Sequence, residues 1–398
     1  MPTEIREVIP QFSSTTPLLV WLAFFCAVPD LSYVLSASKA LTADSLFISV
    51  DPLKFIMMPN FRSLAVSYSL ILALFNVKYI SSETKTRVAS KPEPDFHAHL
   101  GSQFAVIFGA SYCDDAHPRP PKYAGTLKGA PYFQGRASNG KVFVEYLAQK
   151  TLTGHNISLF NYAYIGSTIS NTIVTVSAPT LTEQINTYLD DVSHKRVQHD
   201  PTKRLLYCSW FGINDVTQIW TELVKQASNH SHATPEDFRL ATRRVNEKVA
   251  DMISKIEALQ KNPDITKPQS DFLLILLPPL EIVPNLYYQA RDLAKRSTDL
   301  TAKYLEYIHI LTNQFNKEVK RLVATHKSIK LFDAEAFWRT VRKAPRQFGL
   351  DNVTQACWNS TSGQTCSQPN RFQYWDTLHP TTAMHELIAQ EITKVLNP

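Results

Sequence analysis

Four short blocks of the sequence contain residue types that could act together in catalysis. In chain order they are Gly109-Ala110-Ser111, Gly166, Gly212-Ile213-Asn214-Asp215 and Asp376-Thr377-Leu378-His379. A serine attacks a carbonyl carbon when a histidine accepts its proton and a carboxylate orients that histidine. Hydrogen-bond donors then stabilise the negative charge that develops on the carbonyl oxygen. The blocks supply each of these parts, and they predict hydrolysis of an ester through a serine.

The last block contains the candidate base. His379 follows Asp376 by three residues in a polar segment that Pro380 closes. This spacing allows the carboxylate to bind one imidazole nitrogen and leaves the other nitrogen for Ser111. Asp376 also has a structural alternative, because an aspartate here can cap the helix that is expected after Pro380.

Three groups are candidates for an oxyanion hole. They are the backbone N–H of Ser111, the backbone N–H of Gly166 and the side-chain amide of Asn214. Taken alone, Gly166 or Asn214 would be interpreted as a turn residue. Beside a serine nucleophile, the three groups form a set of donors for a tetrahedral oxyanion.

Buried strands are expected immediately before these blocks. Short, continuously apolar runs are typical of strands that are covered on both faces of a parallel sheet. The predicted strands are 104–108, 158–162, 205–210, 272–277 and 330–332. Ser111, Gly166 and Asn214 follow the ends of such strands, which is where ligands bind in sheets of this kind.

Helical patterns occupy the intervals between the strands. Thr234 and Pro235 form a start signal, and apolar residues then recur in steps of three and four up to Leu259. A second long helical stretch is predicted from about 289 to 324, and a closing helix over 381–395. The alternation predicts an α/β fold, with a doubly wound, flavodoxin-like parallel sheet of about five strands and helices on both faces.

Several longer segments resemble the SGNH (GDSL-type) esterase and lipase superfamily. The matching segments are 108–114, 135–140 with 144–147, 161–167, 210–215, 278–284 and 374–380. They extend over nearly the whole region that is predicted to be catalytic. The likeness is greatest to the secreted, fungal-type branch, which includes carbohydrate acetylesterases (carbohydrate esterase family 16) and thermolabile-hemolysin-like acylhydrolases.

The resemblance implies a role for each block. Ser111 would be the nucleophile, with Asp376 and His379 completing the catalytic triad. Gly166 and Asn214 would complete the oxyanion hole together with the Ser111 N–H. The resemblance implies neither a metal nor an organic cofactor.

Two positions depart from the usual pattern of the superfamily. Ala110 stands where the superfamily has an aspartate, so a hydrogen bond next to the nucleophile is lost. Ile165 adds bulk beside Gly166, where the superfamily usually has glycine or alanine. Neither position is the nucleophile, so ester hydrolysis remains the prediction.

The composition argues against several other classes of protein. The 398-residue chain is 44% hydrophobic and 19% charged, which is typical of a globular protein. The net charge of +6 is spread along the chain and does not alternate with aromatic residues, so no nucleic-acid partner is expected. Cys-x-x-Cys pairs do not occur in the sequence, which argues against a zinc site.

Cysteines and glycosylation sequons indicate an oxidising compartment. Cys357 and Cys366 flank a short polar loop and are predicted to form a disulfide, with two unpaired thiols as the alternative. Cys113 and Cys208 could be either paired or merely buried. Sequons of the type Asn-X-Ser/Thr begin at Asn156, Asn229, Asn352 and Asn359. We therefore expect a secreted, extracellular protein.

Residues 1–100 are predicted to be an N-terminal extension with a linker, and residues 101–398 to be the catalytic domain. The extension contains two apolar runs, 18–28 and 64–75, of signal-peptide length and shorter than the roughly 20 residues of a membrane span. We expect translation to start at Met57 or Met58, so that the second run is the signal core. In one alternative the first run is the signal core, and in another an uncleaved apolar segment anchors the protein to a membrane. No membrane span is expected in the mature form.

The resemblance implies a small-molecule or polysaccharide ester as substrate, and short acetyl esters of carbohydrate are the main expectation. The alternatives are a lipase or phospholipase for longer acyl chains and a catalytically degenerate binding protein. Loops around 116–135, 216–233 and 343–373 would select the substrate, but their sequences contain no recognisable pocket motif. Tyr112 and Trp375 could form a sugar-binding wall or pack locally. The sequence does not predict the oligomeric state.

Overall fold

The computed structural model describes residues 102–149, 156–173, 176–198, 204–230, 232–262, 270–326 and 328–397. The predicted N-terminal extension lies outside these described residues. The helices within them are all too short or too polar to span a lipid bilayer.

A five-stranded sheet forms the centre of the described region. Its strands are β1 (Ser102–Gly109), β2 (Ser158–Asn161), β3 (Arg204–Trp210), β4 (Asp271–Ile275) and β5 (Ile329–Phe332). The spatial order is β2-β1-β3-β4-β5, and each neighbouring pair is parallel. This is the flavodoxin-like order. The structure confirms the predicted sheet and each of its five strands.

Eight α-helices accompany this sheet in the described part of the chain. They are α1 (Phe143–Leu147), α2 (Leu181–Ser193), α3 (Ile213–His230), α4 (Pro235–Lys261), α5 (Pro284–Leu293), α6 (Thr298–Val323), α7 (Ala334–Lys343) and α8 (Thr382–Leu396). Val106 and Phe108 of β1 pack in the core with α2 to α6, whereas Ala105 and Ile107 pack with α1, α7 and α8. Because successive strand side chains point to opposite faces, helices cover both sides of the sheet, as predicted.

Side-chain caps determine where the two best-predicted helices begin. The Thr234 hydroxyl accepts the N–H of Asp237, whose carboxylate accepts the N–H of Thr234, and Pro235 occupies the first turn. This reciprocal pair satisfies N–H groups that an α-helix leaves free at its start. At α8 the Thr381 hydroxyl accepts the N–H of Met384. Thr381 is therefore the cap of the closing helix, and Asp376 does not have that role.

The long helical stretch predicted over about 289–324 is in fact two helices. α5 ends at Leu293 and α6 begins at Thr298, with Ser297 as its N-cap. Between them, Lys295 and Arg296 have φ angles of 49° and 66°, in the left-handed region. Two consecutive residues in the left-handed region end a helix. Lysine and arginine are not typical of helix ends of this kind, and the apolar periodicity continues on both sides of the break, so the sequence did not indicate it.

The segment after α7 adds a small, disulfide-linked substructure. β6 (Asn352–Ala356) pairs in parallel with β9 (Phe372–Tyr374), and β7 (Trp358–Asn359) pairs with β8 (Gln364–Thr365) in an antiparallel hairpin. A disulfide joins Cys357 to Cys366 and closes this hairpin, as predicted. Cys113 and Cys208 are both buried free thiols, so the paired alternative is wrong for them.

Candidate active site

The predicted site residues converge at one edge of the central sheet. Ser111 follows β1, Asn214 follows the neighbouring strand β3, and Gly166 follows β2 on the other side of β1. Because the strands are parallel, their carboxyl ends meet at the same edge. In this strand order β1 and β3 form the topological switch point, where α/β sheets open a crevice for a ligand.

A tight turn presents Ser111 directly after β1. The carbonyl oxygen of Ala110 accepts the N–H groups of Cys113 and Asp114, at 3.0 and 3.1 Å. A Cβ atom on Gly109 would lie 2.5 Å from the Cys113 sulfur, so only glycine allows the chain to fold back so closely. Ser111 itself is 8% exposed. The turn thus holds a serine at the sheet edge, largely shielded from solvent.

Asp376 and His379 form a hydrogen-bonded pair. His379 Nδ1 lies 2.7 Å from Asp376 Oδ2, while Asp376 Oδ1 accepts the backbone N–H groups of Leu378 and His379 at 2.7 and 2.6 Å. The carboxylate therefore fixes both the backbone turn and the imidazole. Because an ionised carboxylate only accepts, Nδ1 carries the proton and Nε2 is left to accept one.

Asp376 remains ionised in this setting. Burial alone would raise the pKa of its carboxyl group, but the positive charge and hydrogen bond of His379 oppose that effect. The hydroxyl of Tyr132 and the N–H of His379 also donate to it, and the net result is a pKa well below the usual range. A permanent negative charge beside His379 favours the imidazolium form that arises when the histidine takes a proton.

Tyr112 links the serine turn to the histidine turn. Its hydroxyl donates to the carbonyl oxygen of Leu378 at 2.7 Å, and its ring lies edge-to-face with the His379 ring at 6.0 Å. In the described part of the chain, the Ser111 hydroxyl and His379 Nε2 are not joined by a hydrogen bond. Such contacts often tighten only when a substrate is bound.

The oxyanion candidates lie on adjacent loops. Gly166 has a φ of 86°, and a Cβ atom there would meet nothing within 4 Å, so its outer face borders open space. Within the described residues, the N–H groups of Ser111 and Gly166 donate to no other protein atom. Asn214 donates one Nδ2 hydrogen to the carbonyl oxygen of Ser167 at 2.8 Å, which leaves its second hydrogen for another acceptor.

Buried polar side chains hold the loop around Gly166 in place. Gln184 accepts the N–H of Gly109 and donates to its carbonyl oxygen, both at 2.9 Å, and also donates to the Ser167 hydroxyl. Asp114 accepts the N–H of Ile165 at 2.9 Å. Although Ala110 provides no carboxylate, Gln184 and Asp114 still connect the serine turn to the glycine loop.

A buried ion pair supports the far end of the same loop. Asp215 accepts the N–H of Ile169 at 3.2 Å, and Lys248 Nζ lies 3.3 Å from the Asp215 carboxylate. Lys248 also donates to the carbonyl oxygen of Ser170. Burial raises the pKa of Asp215 to about 6, against the opposing effects of Lys248 and the Ile169 N–H. The residue after Asn214 is therefore a support for the loop.

Tyr132 is a site residue that sequence reasoning missed. Its hydroxyl donates to Asp376 Oδ2 at 2.7 Å, the same oxygen that binds His379 Nδ1. Burial and the nearby Asp376 charge raise the pKa of Tyr132, so the phenol stays protonated as a donor. It lies in an irregular loop 244 positions before Asp376, and no motif or periodicity marked it. The same holds for Gln184, whose contacts only the folded chain reveals.

Two aromatic residues near the site pack locally. Tyr112 and Trp375 are each 3% exposed, so the alternative in which they form a sugar-binding wall is wrong. Tyr112 packs against Trp210 at 5.2 Å between ring centres. Both residues therefore shape the interior of the site rather than its surface.

A second histidine, His385, lies near the site but is not placed to act as a base. His385 is 1% exposed, and its ring stacks on Phe143 and meets the edge of Tyr112. Burial, followed by the nearby charge of His379, lowers the pKa of His385 to about 3. Its imidazole is neutral and enclosed by rings, away from solvent and substrate.

Asp114, Asp115 and His117 bring possible metal-ligating atoms within 4.8 Å of one another. The Asp114 oxygens are already bound by Arg119, at 2.7 and 3.2 Å, and by the N–H groups of Ile165 and Ala116. This pattern is that of an internal ion pair that orders the loop, and it explains the cluster without a metal.

Comparisons with known proteins place this geometry in a family. The family model of the GDSL-like lipase/acylhydrolases matches residues 106–392, well over half of the chain. An acetylesterase of Thermothelomyces thermophilus is 22% identical over 76% of this chain and 91% of its own length. The thermolabile hemolysin of Vibrio parahaemolyticus is 25% identical over 67% of this chain, which spans only 57% of that relative.

Solved structures include a similar lipase, Lip_vut3, from a goat rumen metagenome. It is 14% identical, with a TM-score of 0.40 over 74% of this chain and 97% of the lipase. The match of the family model over 106–392 includes every block of the site. The chain therefore belongs to the GDSL-like lipase/acylhydrolase family and is a carboxylic ester hydrolase.

Proposed function

We propose that the enzyme hydrolyses short-chain esters, chiefly acetyl esters of carbohydrate, through an acyl-enzyme on Ser111. The observation that carries the catalytic part is the Asp376–His379 pair, tied through Tyr112 to the turn that contains Ser111. The relative named acetylesterase, which this chain matches over 91% of that protein's length, supports an acetyl group as the acyl part.

In the proposed first step, the Ser111 hydroxyl oxygen attacks the ester carbonyl carbon while His379 Nε2 takes its proton. The N–H groups of Ser111 and Gly166 and the amide of Asn214 stabilise the oxyanion. Donors of this kind lower the barrier by roughly 3–4 kcal/mol each. The C–O bond to the alcohol then breaks, and the alcohol leaves with the proton from His379.

The second step regenerates the enzyme. His379 removes a proton from water, and the resulting nucleophile attacks the acyl-serine carbonyl. The same donors hold the second oxyanion, and Ser111 leaves with the proton from His379 while the carboxylic acid is released. Asp376, held as a carboxylate throughout, stabilises the imidazolium in both steps.

A series of p-nitrophenyl esters tests the acyl preference. With the full chain we expect kcat/KM to be highest for acetate and to fall by about tenfold or more from butyrate to octanoate, because added methylenes exceed a small acyl pocket. Measuring initial rates on acetate, butyrate, octanoate and palmitate gives the profile. A maximum at octanoate or palmitate would contradict the short-chain proposal and favour a lipase.

Tyr132→Phe tests whether the hydrogen bond from the Tyr132 hydroxyl weakens the effect of the Asp376 charge on His379. We expect kcat/KM to fall about tenfold to 150-fold, which corresponds to the loss of one hydrogen bond to a charged group, about 1.5–3 kcal/mol. Without this donor the full carboxylate charge acts on His379 and favours the imidazolium. The acid limb of the pH profile of kcat/KM should therefore move to higher pH.

Tyr123→Phe is the matched control for Tyr132→Phe. Tyr123 lies nearby in the same loop region, but its ring packs on Tyr164 and does not contact Asp376. We expect its pH profile to coincide with that of the wild type. An unshifted acid limb in Tyr132→Phe would show that the phenol does not influence His379 through Asp376.

We also propose that the protein is secreted. The Cys357–Cys366 disulfide supports an oxidising compartment. The sequon residue Asn156 is exposed, so it is accessible to glycosylation. Mass spectrometry of the protein from culture medium, before and after removal of N-glycans, tests secretion and modification together.

A further inference from the structure

A polar cleft of about 470 Å³ opens beside the turn that contains Asp376 and His379. Thr377, between these two residues in sequence, forms part of its wall. One side comes from the disulfide-closed hairpin, with Trp358 and Asn359, and the other from α5, with Tyr288 and Arg291. Pockets for small ligands usually measure about 300–1,000 Å³, so this volume suits a mono- or disaccharide.

Hydrogen bonds connect both walls of the cleft to the turn that contains Asp376 and His379. The N–H of Trp358 donates to the carbonyl oxygen of Trp375 at 2.7 Å, directly before Asp376. On the other side, the N–H of Asn285 at the start of α5 donates to the carbonyl oxygen of Thr377 at 2.7 Å. Both walls of the cleft are therefore fixed relative to the turn that contains His379.

The chemistry of the walls suits a neutral, hydroxyl-rich ligand. Trp358 is partly exposed and Tyr288 is 38% exposed, which provides aromatic surface for the C–H face of a sugar ring. The Arg291 guanidinium lies 5.3 Å from the centre of the Tyr288 ring and binds Asp292 through Nε and one Nη, so its charge is balanced. A balanced charge gives no preference for an anionic ligand.

The amide groups in the cleft are oriented as donors. Asn359 Oδ1 accepts the N–H groups of Thr361 and Ser362, which leaves its Nδ2 hydrogens to donate outward. Gln355 Oε1 accepts from Asn352, which likewise leaves the Gln355 Nε2 hydrogens. Sugar hydroxyl oxygens accept such bonds, whereas an alkyl chain would desolvate these groups without replacing their water.

We propose that this cleft binds the saccharide that forms the alcohol part of the ester, with Trp358 and Tyr288 as stacking surfaces and Gln355, Asn359 and Arg291 as donors. The proposal rests on the proposed function, because the cleft adjoins the turn that contains His379, which protonates the leaving alcohol in that mechanism. It goes further by assigning the residues that select the alcohol, which neither the family nor the catalytic residues define.

Tyr288→Ala and Trp358→Ala test the cleft, with Tyr287→Ala as the matched control. Tyr287 is the adjacent residue of α5, is 46% exposed and does not line the cleft. Its ring meets the Tyr288 ring edge-to-face at 5.7 Å, so Tyr287→Ala also controls for the loss of that ring contact. The measured quantity is the ratio of kcat/KM for acetylated cellobiose to kcat/KM for p-nitrophenyl acetate, which lacks a sugar. We expect each cleft variant to lower this ratio about threefold to fifteenfold, the effect of a lost aromatic contact, and Tyr287→Ala to leave it unchanged.

Asn359 also begins a sequon, and an N-glycan on its Nδ2 atom would fill the cleft. The cleft proposal therefore requires an unmodified Asn359 in the secreted protein, and mass spectrometry that finds a glycan on Asn359 would overturn it. The assay therefore uses the full chain from a bacterial periplasm, which forms disulfides without adding such glycans. Binding of unmodified cellobiose, followed by calorimetry, supplies a second measurement that does not depend on turnover. Tyr288→Ala should weaken this binding, and Tyr287→Ala should not.

The outcomes separate the cleft from the proposed function. If the wild type cleaves p-nitrophenyl acetate but not acetylated cellobiose, the proposed carbohydrate substrate is wrong. Cellobiose binding that still depends on Tyr288 would then confirm a saccharide site in the cleft but overturn its role in holding the alcohol part of the ester. An unchanged ratio together with unchanged cellobiose binding in both cleft variants would overturn the cleft proposal. A loss confined to octanoyl esters would overturn it as well, because the cleft would then bind acyl chains.

Discussion

We expect Ser111→Ala to reduce kcat for p-nitrophenyl acetate by about 10⁴-fold to 10⁶-fold, because the acyl-enzyme can no longer form. The effect is large because Ser111 supplies the only protein atom that bonds to the substrate carbon in the proposed mechanism. Steady-state rates at matched enzyme concentration measure the loss, and circular dichroism verifies the fold.

Ser209→Ala is the control for this variant. Ser209 lies on β3, is 3% exposed, and its hydroxyl forms no hydrogen bond within the described residues. Removing an unpaired buried hydroxyl costs little, so kcat should stay within about twofold of the wild type. A Ser111→Ala enzyme that keeps more than a tenth of the wild-type kcat would refute the assignment of the nucleophile.

His379→Ala produces a loss of the same order, about 10⁴-fold to 10⁶-fold in kcat. The serine hydroxyl is a weak nucleophile without a base. In this variant the imidazole that connects Asp376 to Ser111 is missing, so the Asp376 carboxylate does not take over as the base. Because Ser111 and His379 act in one step, the double variant should be no slower than either single variant. Multiplicative losses would mean that the two residues act independently.

His385→Leu is the matched control for the histidine. Both ring nitrogens of His385 lack hydrogen bonds in the described part of the chain, and burial keeps this ring neutral. An apolar side chain of similar size should therefore preserve most of the activity. If His385→Leu abolished turnover while His379→Ala did not, the base would have been assigned to the wrong histidine.

The low pKa of Asp376 determines how its contribution to the stability of the fold depends on pH. Its folded-state pKa lies below its ordinary value, so its contribution to stability is complete above the ordinary carboxyl pKa. That contribution decreases as the pH falls below the ordinary carboxyl pKa and is lost once the pH falls through the depressed value. The stabilisation by Asp376 should therefore be complete in mildly acidic solution, and thermal unfolding followed against pH measures it.

The repeating features of the fold could be predicted from the sequence. The continuously apolar run before Gly109 predicted β1, and Thr234 with Pro235 predicted the start of α4, because burial and capping leave local signals. The block order also predicted that Ser111 and His379 belong to one site. Such signals come from residues that are neighbours in sequence, so they can be recognised without a structure.

The remaining features depend on contacts between distant parts of the chain. Tyr132 reaches Asp376 from an irregular loop, and Gln184 joins Gly109 to Ser167 across the sheet edge. Neither residue type is unusual in its local context. The break between α5 and α6 at Lys295 could not be predicted from the sequence either, since the residue type lysine does not indicate a left-handed backbone conformation.

Mapping the residue that a fluorophosphonate modifies tests the central claim most directly. The reagent forms a stable adduct with a serine that a histidine activates, and mass spectrometry of digested protein locates it. We expect one adduct per chain, on the peptide that contains Ser111, with activity lost in proportion and no labelling in His379→Ala. An adduct on another serine that accompanies the loss of activity, or full activity without an adduct on Ser111, would contradict the account.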